Sequence, residues 1–251
     1  MAAGYEERAP QGALRSWSPC VWVRRAPGAA ELARVVPDGC TDLLWRRGRL
    51  EVAGPDTGHR DVPLDPGELI VGVRLRPGAA RPLLGDLPAT EVADAQPGLR
   101  DLWGEAALPL SASIAAERDP WRIGAALTAA LGDRCRANAP DEVAVAVADA
   151  LDRPRPPAIG SLAWELGYSE RHLRRRVRAA TGYGPKTLEQ ILRFRRALAA
   201  ADEAPGWGRI AAEQGYADQA HLSRQVRRWS GATPRSLRPD PRPRASAAPR
   251  A

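Results

Sequence analysis

The sequence predicts an α+β protein: a β-rich N-terminal domain of barrel or sandwich type, helical linkers, and an all-α domain built on two helix-turn-helix modules. Three observations predict it. Residues 20–76 alternate between short apolar runs and Pro/Gly turns, the pattern of many short strands. Residues 169–181 spell a capped helix with one apolar and one arginine face. The unit around that helix then occurs a second time, with a shift of 48 to 49 residues, which chance seldom produces.

In the first region, Cys20-Val-Trp-Val-Arg-Arg alternates as a strand does, and Leu32–Val36 ends at the turn Pro37-Asp38-Gly39. Residues 43–52 read as a hairpin turning near Arg47-Gly48. Gly54-Pro55 breaks the chain, and residues 68–76 form the strongest strand, stopped by Pro77-Gly78. Residues 80–137 turn alanine-rich and helical, in three pieces: 98–104, 111–116 and 121–131. Pro140 opens the next helix, with Asp141 and Glu142 in its first turn and Val143, Val147 and Ala150 in register. It reads as the first helix of module one, which makes the break at Arg153–Pro157 a loop within that domain.

Ser161–Leu166 is a short apolar-faced helix ended by Gly167, a residue that tolerates positive φ. Ala163 is small where two helices would cross. Ser169 then caps a helix that presents Leu173, Val177 and Ala180 on one side. Arg171, Arg174, Arg175 and Arg178 lie on the other, spaced i, i+3, i+4 and i+7, a face suited to a polyanion. Taken alone, such a run is usually a solvated surface. The repeat changes its meaning. Ala163 and Gly167 map to Ala211 and Gly215, and His172, Leu173, Arg175, Val177, Arg178 and Gly182 map to His221, Leu222, Arg224, Val226, Arg227 and Gly231. Between the modules, residues 185–200 form a helix of roughly 24 Å, enough with module thickness to reach successive major grooves about 34 Å apart.

Charge divides along the same line. Residues 1–150 hold 17 Arg against 21 acids, a net of −4, whereas residues 151–251 hold 20 basic residues against 9 acids, a net of +11. The positive charge therefore sits with the helix-turn-helix pair, as in a nucleic-acid binder. Lys186 is the one lysine, and arginine almost everywhere else suggests a GC-rich bacterial genome.

At this point the chain resembles the AraC family of bacterial transcription regulators. The likeness rests on Ala-x3-Gly-Tyr-Ser-Glu-Arg-His-Leu-Arg-Arg with Thr-Gly-x2-Pro, and on the second copy Ala-x3-Gly-Tyr-Ala-Asp-Gln-Ala-His-Leu-Ser-Arg with Gly-x2-Pro, over roughly residues 139–238. Leu222 and Val226 depart from it, standing where the family more often has phenylalanine. A looser likeness links residues 36–45, Gly54-Pro55 and residues 73–78 to the N-terminal domain of uncharacterised AraC-like regulators. The expected domains are 1–110 for sensing or dimerisation, a helical linker at 111–138, a double helix-turn-helix at 139–238, and a disordered basic tail at 239–251.

The resemblance implies a sequence-specific, effector-responsive transcription regulator, activator or repressor, with double-stranded DNA as partner. It leaves room for RNA polymerase and a second copy of the chain. It places base contacts at Arg171, Arg174 and Arg175 in the first recognition helix and at Gln219, Ala220, Ser223 and Arg224 in the second. Arg178 and Arg227, a turn further along, should meet phosphate. In the N-terminal half, Asp38, Cys40, Asp42, Trp45 and Arg74 gather at expected strand ends and form a candidate ligand site. The same residues also read as a plain turn and core.

Other classes find less support. The N-terminal half has one histidine, His59, so no metal cupin is expected, and no cofactor either. His172 and His221 hold equivalent slots and should pack or cap. Carboxylates beside Cys40 should raise its pKa and blunt it as a nucleophile. No serine–histidine–acid set, P-loop or dinucleotide loop stands out, so an enzyme fused to a DNA-binding domain is the weaker alternative. A nucleoid-type protein that binds without sequence preference is the other. Three widely spaced cysteines, no signal-peptide pattern and no long apolar run point to the cytoplasm and away from membranes.

Overall fold

The computed structural model describes residues 4–201 and 206–237; the tail expected to be disordered lies outside them. Among the described residues, strands β1 (Gly4–Arg8), β2 (Cys20–Arg25), β3 (Glu31–Val35), β4 (Thr41–Arg46), β5 (Arg49–Ala53), β6 (Arg60–Leu64) and β7 (Leu69–Leu75) form two sheets. The larger has the order β1-β2-β7-β4-β5 and is antiparallel throughout, and β3 pairs with β6 in a separate ribbon.

The period-two alternation of the strands builds two cores. Val21, Val23, Leu43, Val52, Val71 and Val73 point to one face of the large sheet. Cys20, Trp22, Leu44, Ala53 and Ile70 point to the other, where Ala33 and Leu64 of the ribbon meet them. Short helices α1 (Arg81–Leu84), α2 (Leu99–Trp103) and α3 (Leu108–Ile114) gather on the first face with the long α4 (Pro120–Ala137). Here the structure corrects the expectation of a linker at 111–138. Ile123, Leu127 and Leu131 of α4 are fully buried in the core that Val21 and Val71 share. Gly124 brings the helix so near β2 that a Cβ there would lie 2.6 Å from Val21 Cγ1. An i, i+4, i+8 stripe shows that a helix is amphipathic but not what covers it, and the sheet supplies the cover.

The strands β1 and β6 were not foreseen. Pro63 removes a ladder donor from β6, a residue that reads against a strand and is tolerated in a two-stranded edge ribbon. The hairpin at Arg47-Gly48 forms as expected, both residues having positive φ (51° and 74°), the geometry that matches strand twist. Arginine is strained there, and Glu68 compensates. Its buried carboxylate accepts from Arg46 Nε at 2.6 Å, Arg47 Nε at 2.8 Å and the Asp65 amide at 2.8 Å. Burial alone would raise its pKa, but these hydrogen bonds outweigh burial and hold it at about 2.

The C-terminal half comprises α5 (Glu142–Leu151), α6 (Ile159–Glu165), α7 (Glu170–Thr181), α8 (Pro185–Ala201), α9 (Trp207–Glu213) and α10 (Gln219–Ser230). They share one core around Leu188, Ile191, Leu192 and Phe194 of α8. The α5 helix also belongs to the first half, since Val145 joins the core of the large sheet.

Because the folded pKa of Glu68 lies below its unfolded value near 4.5, the carboxylate stabilises the fold above that pH and ceases to as pH falls toward 2. Glu68→Gln should therefore cost about 3 kcal/mol at pH 7. The deficit should shrink between pH 4.5 and 2. Urea unfolding of parent and variant at pH 7, 4.5 and 3 checks this, and a deficit that does not vary with pH would contradict it.

Candidate nucleic-acid interface

Each module stops its first helix in the same way. Gly167 and Gly215 take left-handed conformations (φ 71° and 74°). In both, the following tyrosine amide, Tyr168 or Tyr216, donates back to the buried alanine carbonyl of Ala163 or Ala211 at 2.9 Å. A side-chain oxygen then starts the second helix. Ser169 Oγ accepts from the His172 amide at 3.3 Å, and Asp218 Oδ1 accepts from the His221 amide at 2.6 Å. The sequence repeat is thus a repeat of backbone geometry.

Behind the second helices, Leu173, Val177, Leu222 and Val226 are fully buried. That fixes which face is left outside. On α7, Arg171, Arg174, Arg175 and Arg178 are all exposed. On α10, Gln219, Ala220, Arg224 and Arg227 are exposed, while Ser223 is half-buried and donates to the Gln219 carbonyl at 2.8 Å. All nine positions expected at a DNA surface thus fall on two outward helix faces. Arg174 is engaged, its Nε donating to Glu170 at 2.8 Å. An exposed i, i+4 pair is worth only a few tenths of a kcal/mol, so phosphate or guanine can compete for the guanidinium.

The histidines pack, as expected. His172 lies against Tyr168 with ring centroids 5.1 Å apart, and His221 against Tyr216 at 5.3 Å. An arginine completes each stack at 5.6 Å, Arg176 over Tyr168 and Arg193 over Tyr216. These two arginines escaped the sequence reading. Arg176 bonds Asp141 at 2.8 Å and braces α7 against the start of α5, so it is scaffold and not part of the DNA face. The repeat could not have paired them: Arg176 maps to Gln225 in module two, and Arg193 arrives from α8 instead.

In the N-terminal half, a cavity of about 80 Å³ lies between the large sheet and the β3–β6 ribbon. Asp38, Cys40, Asp42 and Arg74 all line it. Arg74 is buried, with Nε 3.2 Å from Asp42 Oδ1 and 3.7 Å from Asp38 Oδ2. The Asp38 carboxylate also accepts from the Cys40 amide at 2.9 Å, which closes the turn around Gly39. Burial first, and then the Asp38 charge, push the Cys40 thiol upward, so it stays protonated.

Trp45 does not belong to this site. It has the opposite strand parity to Asp42 and packs on the core of the sheet's other face. The aromatic wall is Trp22, whose Nε1 donates to Asp42 at 2.9 Å and whose ring stacks on Tyr5 at 5.7 Å. Its partner across the sheet is Gly72, where a Cβ would lie 2.3 Å from the indole. No residue but glycine leaves room for that ring.

Among the described residues no helix is long and apolar enough to cross a membrane, and no group of His, Cys, Asp and Glu is placed to hold a metal ion. A helix-turn-helix domain family matches residues 162–240, and a family described as a domain of unknown function (DUF6597) matches residues 6–97. No curated protein sequence matches the chain. Among solved structures, ToxT from Vibrio cholerae is similar at 10% identity, over 84% of this chain and 94% of that one, with a TM-score of 0.44. Wild-type ToxT from the same organism with a bound unsaturated fatty acid aligns at 11% identity, over 85% and 91%, with a TM-score of 0.41. The C-terminal domain of AraT, a response regulator from Geobacillus stearothermophilus, aligns at 19% identity, over 37% and 77%, with a TM-score of 0.33. The helix-turn-helix match and the paired modules agree with the resemblance to the AraC family and make the C-terminal half the DNA-binding domain of a transcription regulator, with a domain of unknown function in the N-terminal half.

Proposed function

We propose that one chain reads a bipartite operator, α7 and α10 entering successive major grooves on one face of the duplex, and that a small molecule in the N-terminal cavity modulates binding. The observation that carries the first part is the pair of outward helix faces built on one shared core. Arg171, Arg174 and Arg175 on α7, and Gln219, Ala220, Ser223 and Arg224 on α10, lie in the first turns, which reach deepest into a groove. Arg178 and Arg227 lie a turn further and meet phosphate. The second part rests on the cavity: an aromatic wall of Trp22 and Tyr5 facing a buried Arg74–Asp42 pair gives both stacking and polar anchorage. Its size suits a ligand of a few heavy atoms, well below drug-sized pockets of about 300 Å³ and more. Acting on transcription in the cytoplasm, the chain would meet RNA polymerase there, and a second copy of itself at paired sites.

Arg175→Ala should cost about 1–3 kcal/mol at one base position and relax the preference there, whereas Arg178→Ala should weaken all sequences about equally. Binding-site selection with each variant beside the parent tests this. Unchanged preference in Arg175→Ala with affinity merely reduced would move that residue to the phosphate class. A parent without any preference would favour a nucleoid-type binder.

Module one presents four guanidiniums to DNA and module two presents two, Arg224 and Arg227. For every phosphate that a variant no longer neutralises, the log–log salt slope falls by about 0.9. Neutralising Arg174 and Arg178 should therefore flatten the slope at least as much as neutralising Arg224 and Arg227, and should cost more affinity, because Glu170 then faces DNA unpaired. The reverse ranking in a salt titration would contradict the larger role of module one.

A further inference from the structure

The two recognition helices end alike, at Gly182 and Gly231, both left-handed (φ 81° and 68°). Neither has free space where a side chain would go. A Cβ on Gly182 would lie 2.5 Å from Pro55 Cγ, and a Cβ on Gly231 would lie 2.4 Å from His59 Cε1. Both intruding side chains come from one loop, the β5–β6 connection. We propose that this loop is a gauge for operator spacing: Pro55 and His59, set against the ends of α7 and α10, fix how far apart the two DNA-reading helices stand.

Four residues of chain reach at most about 14 Å, so Pro55 and His59 bind the two helix ends to a short common span. The span is stiff. Thr57 donates to Asp94 through its amide, the Asp94 amide donates to the Pro55 carbonyl at 3.1 Å, and Arg60 pairs with Asp56 at 3.0 Å and Gln96 at 2.7 Å. Tyr183, next to Gly182, donates its hydroxyl to the Asp56 carbonyl at 2.6 Å.

The two contacts differ in kind. Pro55 is buried against module one, while His59 is exposed and touches module two at its rim. Module one is therefore the fixed arm. The buried stripe of Leu222, Val226 and Trp229 sets the depth of α10 on its core, but one stripe resists tilting less well than it resists lifting. A second contact at the helix end restrains the tilt. A 12-residue helix is about 18 Å long, so a tilt of about 10° about its buried stripe shifts its DNA-reading end relative to its C-terminal end by roughly 3 Å. That is about one base-pair step. His59 thus determines specificity without touching DNA, as a positioning residue.

This inference rests on the two-groove reading, and one experiment separates the two. Binding of the full chain is measured on operators whose selected halves are held constant while one or two base pairs are inserted or removed between them. The parent should prefer one spacing and lose about tenfold for one base pair either way. His59→Ala, at an exposed position, should fold with an unchanged melting temperature and lose only about threefold for the same change. Its base preferences within each half should stay as in the parent. His59→Gln, which keeps bulk against Gly231, should retain most of the discrimination. Full tenfold discrimination in His59→Ala would overturn the gauge while leaving the bipartite site intact. So would relaxed base preference inside the halves, which would indicate general loosening. A parent indifferent to spacing would instead overturn the two-groove reading itself.

Discussion

The apolar stripe of α8 is the constraint on which the C-terminal half depends. Leu188, Ile191, Leu192, Phe194 and Ala197 are fully or almost fully buried, and residues of both modules pack around them in a single core. A module of a few dozen residues buries too little surface to hold itself together. Here neither has to, because α8 gives both the same interior. The consequence reaches function. Two helices seated on one rigid element, with His59 against the end of the second, hold a set separation, which a two-groove operator would have to match.

The N-terminal half is joined to this frame by packing and by charge. Val145 of α5 lies in the core of the large sheet, while Val147 and Leu151 of the same helix lie in the core of the modules. Gly78 permits the approach, a Cβ there falling 2.8 Å from the Val145 amide. Arg76 also pairs with Asp149 across the seam. The wall of the cavity takes part as well, since the Asp38-Gly39 turn packs on Leu188 and Leu192 of α8. A ligand that displaced Asp38 or Asp56 would therefore act on groups that touch the modules directly, through α8 in the first case and Tyr183 in the second. Deleting the N-terminal half would strip part of this core from α5, so point variants in the cavity are the sounder way to separate sensing from DNA binding.

Much of this was legible in the sequence because the deciding interactions are local. A glycine that must be left-handed, a serine or aspartate that must cap, and arginines at i, i+3, i+4 and i+7 each declare themselves within one or two helical turns. The hairpin at Arg47-Gly48 is local in the same sense. What escaped is long-range. The side of β4 on which Trp45 falls depends on which face of the sheet α4 covers, and nothing near Trp45 states that. Trp22 took the aromatic role because Gly72, some fifty residues away, lies opposite it. Glu68 looked like the first residue of a strand, and its function as the lock of a strained hairpin depends on Arg46 and Arg47 arriving from the end of β4 and the turn after it. The double use of Gly182 and Gly231, as helix stops and as seats for Pro55 and His59, was half visible: the stop is local and the seat is not.

The account is tested most directly by hydroxyl-radical footprinting of a selected operator at a measured ratio of one chain per duplex. Two protected patches on one face of the DNA, centred about 10 base pairs apart, are the result the two-groove reading predicts. A single patch at that stoichiometry, or protection spread evenly along the duplex, would contradict it.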